Sequence, residues 1–189
     1  NGDYDVWDRN DLVRTGDPNP KITGGLSNTF TYKNFSMEVF TSFTLGRDVY
    51  NTYIASLLTN YKQIGNFYGQ GLIDLSKLSI WRNPGDVATY ADVNPYKSYY
   101  YQFNTFSSAY MEDGSYARIK YINLGYRFSS DWLKRAKISA LQLYGIIDNV
   151  YTFQKSNLPD VEAVDALGIY NGNGYPLPRK FTFGFRATF

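Results

Sequence analysis

Apolar and polar residues alternate along five stretches of this chain, with the two-residue period of a β-strand. From Ile22 to Lys33, Leu26, Phe30 and Tyr32 share one parity, and Thr23, Ser27, Thr29 and Thr31 the other. Lys33-Asn34 is a tight-turn candidate. Phe35, Met37, Val39, Phe43 and Leu45 then fall on one face, with Ser36, Glu38, Ser42 and Thr44 opposite, so the two stretches predict a hairpin. Alternation returns at 116–128, where Ile122, Leu124, Tyr126 and Phe128 oppose Asn123 and Arg127. Arg118 and Lys120 share the apolar parity there, so either that end clears the apolar zone or a β-bulge shifts the register. A fourth stretch, 139–151, sets Leu141, Leu143 and Ile147 against Gln142, Tyr144 and Asp148. The last sets Phe181, Phe183, Phe185, Ala187 and Phe189 against Lys180, Thr182, Gly184, Arg186 and Thr188.

The connections between these stretches alternate in length. Short ones lie near Asn34 and at 129–137, where Trp132 reads as an interface anchor; long ones cover 47–114 and roughly 152–178. Within the first long connection, Val49, Tyr53, Ile54, Leu57, Leu58 and Tyr61 recur at helical spacing and predict a short helix near 49–62. So long a connection favours a functional loop over an ordinary compact domain. Short turns on one side and long loops on the other match a bacterial outer-membrane barrel, with apolar residues toward lipid and polar residues inward. A soluble β-sandwich with one buried face has the same strand pattern and stays open as the alternative.

Composition sharpens the choice. Aromatics make up 19% of the 189 residues, as 19 Tyr, 13 Phe and 3 Trp. Such enrichment suits a surface that is half wet and half apolar, either a membrane interface or a ligand groove. Mean hydropathy is −0.40, and no stretch approaches the roughly 18 apolar residues of a transmembrane helix. Any membrane crossing is therefore by strands. The net charge of +2, without a Lys/Arg cluster, argues against nucleic acid. The absence of His and Cys removes imidazole and thiol chemistry, most zinc sites and any disulfide. No catalytic constellation, metal site or cofactor is expected.

The aromatic final strand, Phe181, Phe183, Phe185 and Phe189, is similar to the signal that barrel-assembly machinery reads. Five strands do not close a membrane barrel, since bacterial ones start at about eight. The start at Asn1-Gly2-Asp3, with no initiator Met or signal peptide, leads us to expect a fragment or processed piece.

Several segments, in order and spacing, resemble one family. Gly16-Asp17-Pro18-Asn19-Pro20, Gly24-Gly25-Leu26 and Phe30-Thr31-Tyr32-Lys33-Asn34-Phe35 look like a late hairpin of SusC/RagA-type TonB-dependent transporters. Trp81-Arg82-Asn83-Pro84-Gly85-Asp86 resembles their external "RW-x-PGD" segment, without the preceding Arg. Glu112 to Lys120 resembles "EDGSYLRLK", with Ala117 in place of a larger apolar residue. Asp148 to Phe153 resembles "QNLFTFT", and Tyr175 to Gly184 resembles "YPQPRTFTFG". Leu158-Pro159-Asp160-Val161-Glu162 matches the family's "DPE" segment loosely. The resemblance implies an all-β fold: the C-terminal segment, about five antiparallel strands, of a roughly 22-stranded transmembrane β-barrel. All of 1–189 would be barrel, 47–114 a long extracellular loop region with a short helix, and the N-terminal plug absent. It implies active import of oligosaccharides or peptides across the bacterial cell outer membrane. The implied partners are a SusD-like surface lipoprotein lid, the remaining barrel and plug, TonB through the plug, outer-membrane lipid and the barrel-assembly machinery. Transporter–lid pairs that dimerise are a further expectation. The alternatives are a soluble all-β glycan-binding module and a passive porin or adhesin barrel.

Candidate binding residues lie in the long loops. Tyr90, Tyr96, Tyr99, Tyr100 and Tyr101 offer faces on which sugars stack or peptides pack; girdle or loop self-packing is the competing role. Trp81 and Arg82 are candidate contacts to the lid, since Trp and Arg are favoured interface anchors, unless Trp81 merely pins its loop. Asp160, Glu162 and Asp165 offer oxygen ligands to a hard cation but lack calcium-loop spacing, and a solvated loop is the plainer reading. Glu112 and Asp113, before Gly114-Ser115, read as turn formers.

Overall fold

The computed structural model describes residues 13–60, 75–90, 107–128, 133, 135 and 137–189. Five long strands form one antiparallel sheet: β1 (Ile22–Tyr32), β2 (Phe35–Leu45), β5 (Tyr116–Phe128), β6 (Ala140–Gln154) and β8 (Lys180–Thr188), each beside the next long strand in the chain. Three short strands, β3 (Asp48–Asn51), β4 (Met111–Asp113) and β7 (Ile169–Tyr170), make a second sheet in the order β4-β3-β7. They belong to the two long connections, so they lie at the end of the wall away from the Lys33-Asn34 turn.

The register gathers the predicted apolar parities on one face. Phe35, Tyr126, Leu143 and Phe185 stand in a row across β2, β5, β6 and β8; Val39, Ile122, Ile147 and Phe181 form another. Met37, Leu124, Gly145 and Phe183 run between them. Gly145 leaves the gap that the Phe183 ring covers, so that a Cβ there would stand 3.4 Å from the ring. None of these rows is covered: Phe183 is 82% and Phe185 71% exposed, and Phe30, Tyr126 and Leu143 are exposed as well. A sandwich requires a second sheet over this face, and the only other sheet among the described residues lies in the loops. Aromatics collect toward both ends of the face, with Tyr126 against Phe128 (4.9 Å) at the turn end and Tyr151 against Phe153 (4.7 Å) at the loop end.

The opposite face is polar. Glu38 accepts a hydrogen bond from the Tyr121 hydroxyl (2.7 Å), and Asp148 pairs with Lys180 (3.5 Å). Phe40 also lies there, its ring 5.6 Å from that of Tyr121, while Thr41 takes the apolar-face position. The sequence pattern assigned neither residue.

Of the two readings offered for Arg118, the bulge is correct. Register slips between Phe40 and Thr41 of β2, so that Lys120 of β5 is the extra residue. β6 answers with an extra residue of its own near Asn149, whose φ of 53 is left-handed. Beyond the bulge, Ile119 and Ala117 carry the apolar face and Arg118 turns to the polar one, opposite Ser42 and Thr152. Asn tolerates the left-handed region and β-branched residues do not. Asn149→Val is therefore expected to cost about 1–2 kcal/mol, read as a lowered thermal midpoint of the full-length protein.

The predicted helix starts later than its apolar spacing suggested. Residues 48–51 are β3, and α1 spans Thr52–Asn60. Asn51 makes the break, because its Oδ1 accepts from the Ile54 amide (3.1 Å) as an N-cap. Val49 meanwhile pairs with Glu112 and is fully buried. The hairpin 22–45 and the strand 116–128 agree with expectation. The fourth strand runs three residues further, to Gln154, and the last ends at Thr188. Trp132, Leu57's side chain and Tyr61 lie outside the described residues.

Candidate functional site

The long loops pack around two small apolar cores. One joins Ala55 and Leu58 of α1 to Ile80 and Tyr110; the other joins Val49, Leu158, Val161 and Tyr170. The second core takes residues from both long connections, so the two loops share it. Backbone and side-chain bonds repeat this stitching. The Tyr50 amide donates to Gly168 O (2.8 Å), the Thr52 hydroxyl to Tyr170 O (2.8 Å), and Arg47 Nη2 to Val161 O (2.6 Å). Glu112 accepts from Asn51 Nδ2 on Oε1 (2.7 Å) and from the Asn157 amide on Oε2 (2.6 Å).

Beneath the loops lies a buried ion network anchored on the wall. Arg118 Nη2 donates to Asp160 Oδ1 (2.7 Å), Nη1 to Glu162 Oε2 (2.7 Å) and Nε to Thr152 Oγ1 (2.8 Å). Lys120 Nζ donates to the same Glu162 Oε2 (2.6 Å), and the Tyr116 hydroxyl to Oε1 (3.1 Å). Arg118 and Asp160 are each only 5% exposed. Two cations face two carboxylates, so the network is neutral, which is the condition under which charges tolerate burial. Burial by itself raises the Asp160 carboxyl's pKa, but the Glu162 amide, the Arg118 guanidinium and the Leu177 amide hold it below its ordinary value. Asp160 and Glu162 are thus paired with Arg118 in place of the solvated loop expected. Among the described residues no group of acidic side chains is placed to hold a metal.

Other candidates separate. In the 79–90 segment, Asp86 N donates to Asn83 O (3.1 Å), and Gly85 has φ 99, the residue pattern of a type II turn with Pro84 before it. Asp86 Oδ2 accepts from the amides of Arg82 (3.0 Å) and Asn83 (2.9 Å). Trp81 and Arg82 sit exposed beside this turn. Tyr90 is packed inward: its ring stacks on Tyr110 at 5.9 Å, in a cluster whose burial pushes the Tyr110 hydroxyl up to about 12. Tyr96, Tyr99, Tyr100 and Tyr101 lie outside the described residues. Phe181, Phe183, Phe185 and Phe189 all stand exposed. Asp113 does form a turn, accepting from Ser115 N (2.9 Å), whereas Glu112 bridges the two loops. Sequence reasoning did not find Arg118 as the hub. The signal was its misplaced parity beside Leu124 and Tyr126.

No family model matches the chain. It is 28% identical, over its whole length, to TonB-dependent receptor P26 of Formosa agariphila, and 27% identical to TonB-dependent receptor P3 of the same organism. The chain spans about a fifth of these relatives, 19% and 18% respectively. Among solved structures it is similar to the RagAB peptide importer in its 'open-open' state, with a TM-score of 0.66 and 21% identity over 90% of this chain and 17% of that one. A further structure of the RagAB peptide transporter gives a TM-score of 0.65 over 91% of this chain. The fold is therefore that of a segment of a larger β-barrel, and the chain resembles part of a SusC/RagA-type TonB-dependent transporter.

Proposed function

We propose that this chain forms part of the wall and outer rim of an outer-membrane barrel that imports oligosaccharides or peptides, coupled to TonB and covered by a SusD-like lipoprotein. The observation that carries this reading is the uncovered apolar face, which runs from β1 to β8, interrupted by Asn28 and Thr41, opposite a polar face. Lipid satisfies such a face at no cost, and the polar side suits a wet or plugged lumen. The long loops are extracellular, and the segment does no covalent chemistry: binding is non-covalent and import depends on a plug elsewhere in the protein. Trp81 and Arg82, exposed beside the Pro84-Gly85 turn, are the contacts to the lid; the role of Tyr96, Tyr99, Tyr100 and Tyr101 as substrate contacts is drawn from the sequence alone. Phe181, Phe183, Phe185 and Phe189 face lipid and are read during assembly.

Fractionation of cells that express the full-length protein tests the reading. The protein is expected in the outer membrane, co-purifying with a surface lipoprotein, with uptake lost when TonB is deleted. Trp81→Ala is expected to weaken the complex about tenfold or more, as for a buried interface anchor. Recovery in a soluble fraction would sink the proposal and restore the glycan-binding module.

A further inference from the structure

Arg118 is built into the wall in an unusual way. By simple alternation it belongs on the same face as Leu124 and Tyr126, which is the exposed apolar one. Two matched irregularities, the extra Lys120 on β5 and the extra residue near Asn149 on β6, turn it to the polar face. There its guanidinium is spent on Thr152 of the wall and on Asp160 and Glu162 of the loop at 155–179. Asp160 in turn holds both limbs of that loop, accepting from the Glu162 amide on one oxygen and from the Leu177 amide (3.2 Å) on the other. The loop is also joined to the 46–115 connection through the parallel β3–β7 pair and the core of Val49, Leu158, Val161 and Tyr170.

We infer that Arg118 is a positioning residue that latches the 155–179 loop, and through it the 48–51 strand of the other long connection, to the polar face of the wall as one rim, so that these two segments open only together. A loop that swung out would leave a buried guanidinium without its carboxylates, and would break the sheet and core shared with the other loop. Calling the rim the edge of an import mouth rests on the transporter reading; the latch does not.

The latch has a definite pH dependence. The groups that face Asp160 and Glu162 are Arg118, Lys120 and Tyr116 on β5, Arg47 beside Tyr116 and Val161, and Tyr170 on β7. The chain has no His. The Asp160 carboxyl is depressed below its ordinary 3.8, so its contribution is complete above that value and disappears as pH falls through the lowered one.

Hydrogen exchange on the full-length protein in detergent, corrected for intrinsic rates, tests the inference. Amides in 158–170 and in 48–51 are expected to be protected together at pH 5 and 7 and to open together only below about pH 4. Arg118→Ala should raise exchange in both segments about tenfold or more and Arg118→Lys less, with β1 and β2 unchanged. Asp160→Asn should lower protection at pH 5 and 7 and shrink the acid step. Should Arg118→Ala disturb β1 and β2, Glu162→Gln gives the same reading with a smaller perturbation. Unchanged protection in these variants, or 158–170 opening while 48–51 stays closed, would overturn the latch. A soluble location for the protein would overturn the transporter reading and leave the exchange result standing.

Discussion

Ile122→Arg is expected to remove most of the full-length protein from the outer membrane, whereas Asn123→Arg is expected to leave it there. Ile122 sits at the centre of its 13-residue strand, in the row with Val39, Ile147 and Phe181. On the lipid-facing reading, an arginine there meets hydrocarbon at the midplane, which costs about 2–4 kcal/mol. That is a large share of a typical stability margin of roughly 5–15 kcal/mol. Asn123, one residue on, points to the polar face and pairs across β2 with Glu38, whose carboxylate would welcome a cation. Quantitative blotting of membrane fractions reads both variants. Equal levels of the two would mean that this face does not meet lipid.

Leu158→Ala is expected to loosen the loop rim while sparing the wall. Leu158 is 2% exposed and packs with Val49, Val161 and Tyr170, two positions before the carboxylate that meets Arg118. Truncating a buried leucine costs about 2–5 kcal/mol through lost transfer energy and the cavity left behind. The rim has few apolar contacts to offset the loss, since its two cores are small and separate. The five-stranded sheet, held by continuous backbone ladders, does not share this core. Limited proteolysis should therefore cut within 155–179 in the variant and not in the wild type, at an unchanged heat-resistance of the barrel. Simultaneous loss of both would show that rim and wall unfold as one unit.

The two predictions mark different ends of what could be read from the chain alone. The hairpin 22–45, the strand 116–128 and the aromatic parity of 181–187 were legible, because alternation on a sheet is a local property with a period of two. The PGD turn at 84–86 was legible for the same reason, as Pro and Gly restrict their own backbone. The helix start was misread because Val49 fits a helical spacing and a strand equally well, and the Asn51 cap decides between them. The bulge was seen only as an inconsistency at Arg118 and Lys120. A single strand does not reveal its neighbour's register, and the compensating residue near Asn149 lies about thirty positions away. Asp160 and Glu162 were noticed as acidic without their purpose, since the cation they serve is 42 to 44 residues distant.

The sequence by itself determined the five strands, their two faces, the asymmetry of the connections and the resemblance to a transporter barrel. Each of these depends on neighbours within a few residues or on motifs in order. Tertiary structure alone decided that Arg118 turns to the polar face, that the acidic loop is pinned to it, that Tyr90 packs against a loop core, and that two separate loops share one sheet. These depend on register and on pairings across 42 to 118 positions, where no local preference carries information.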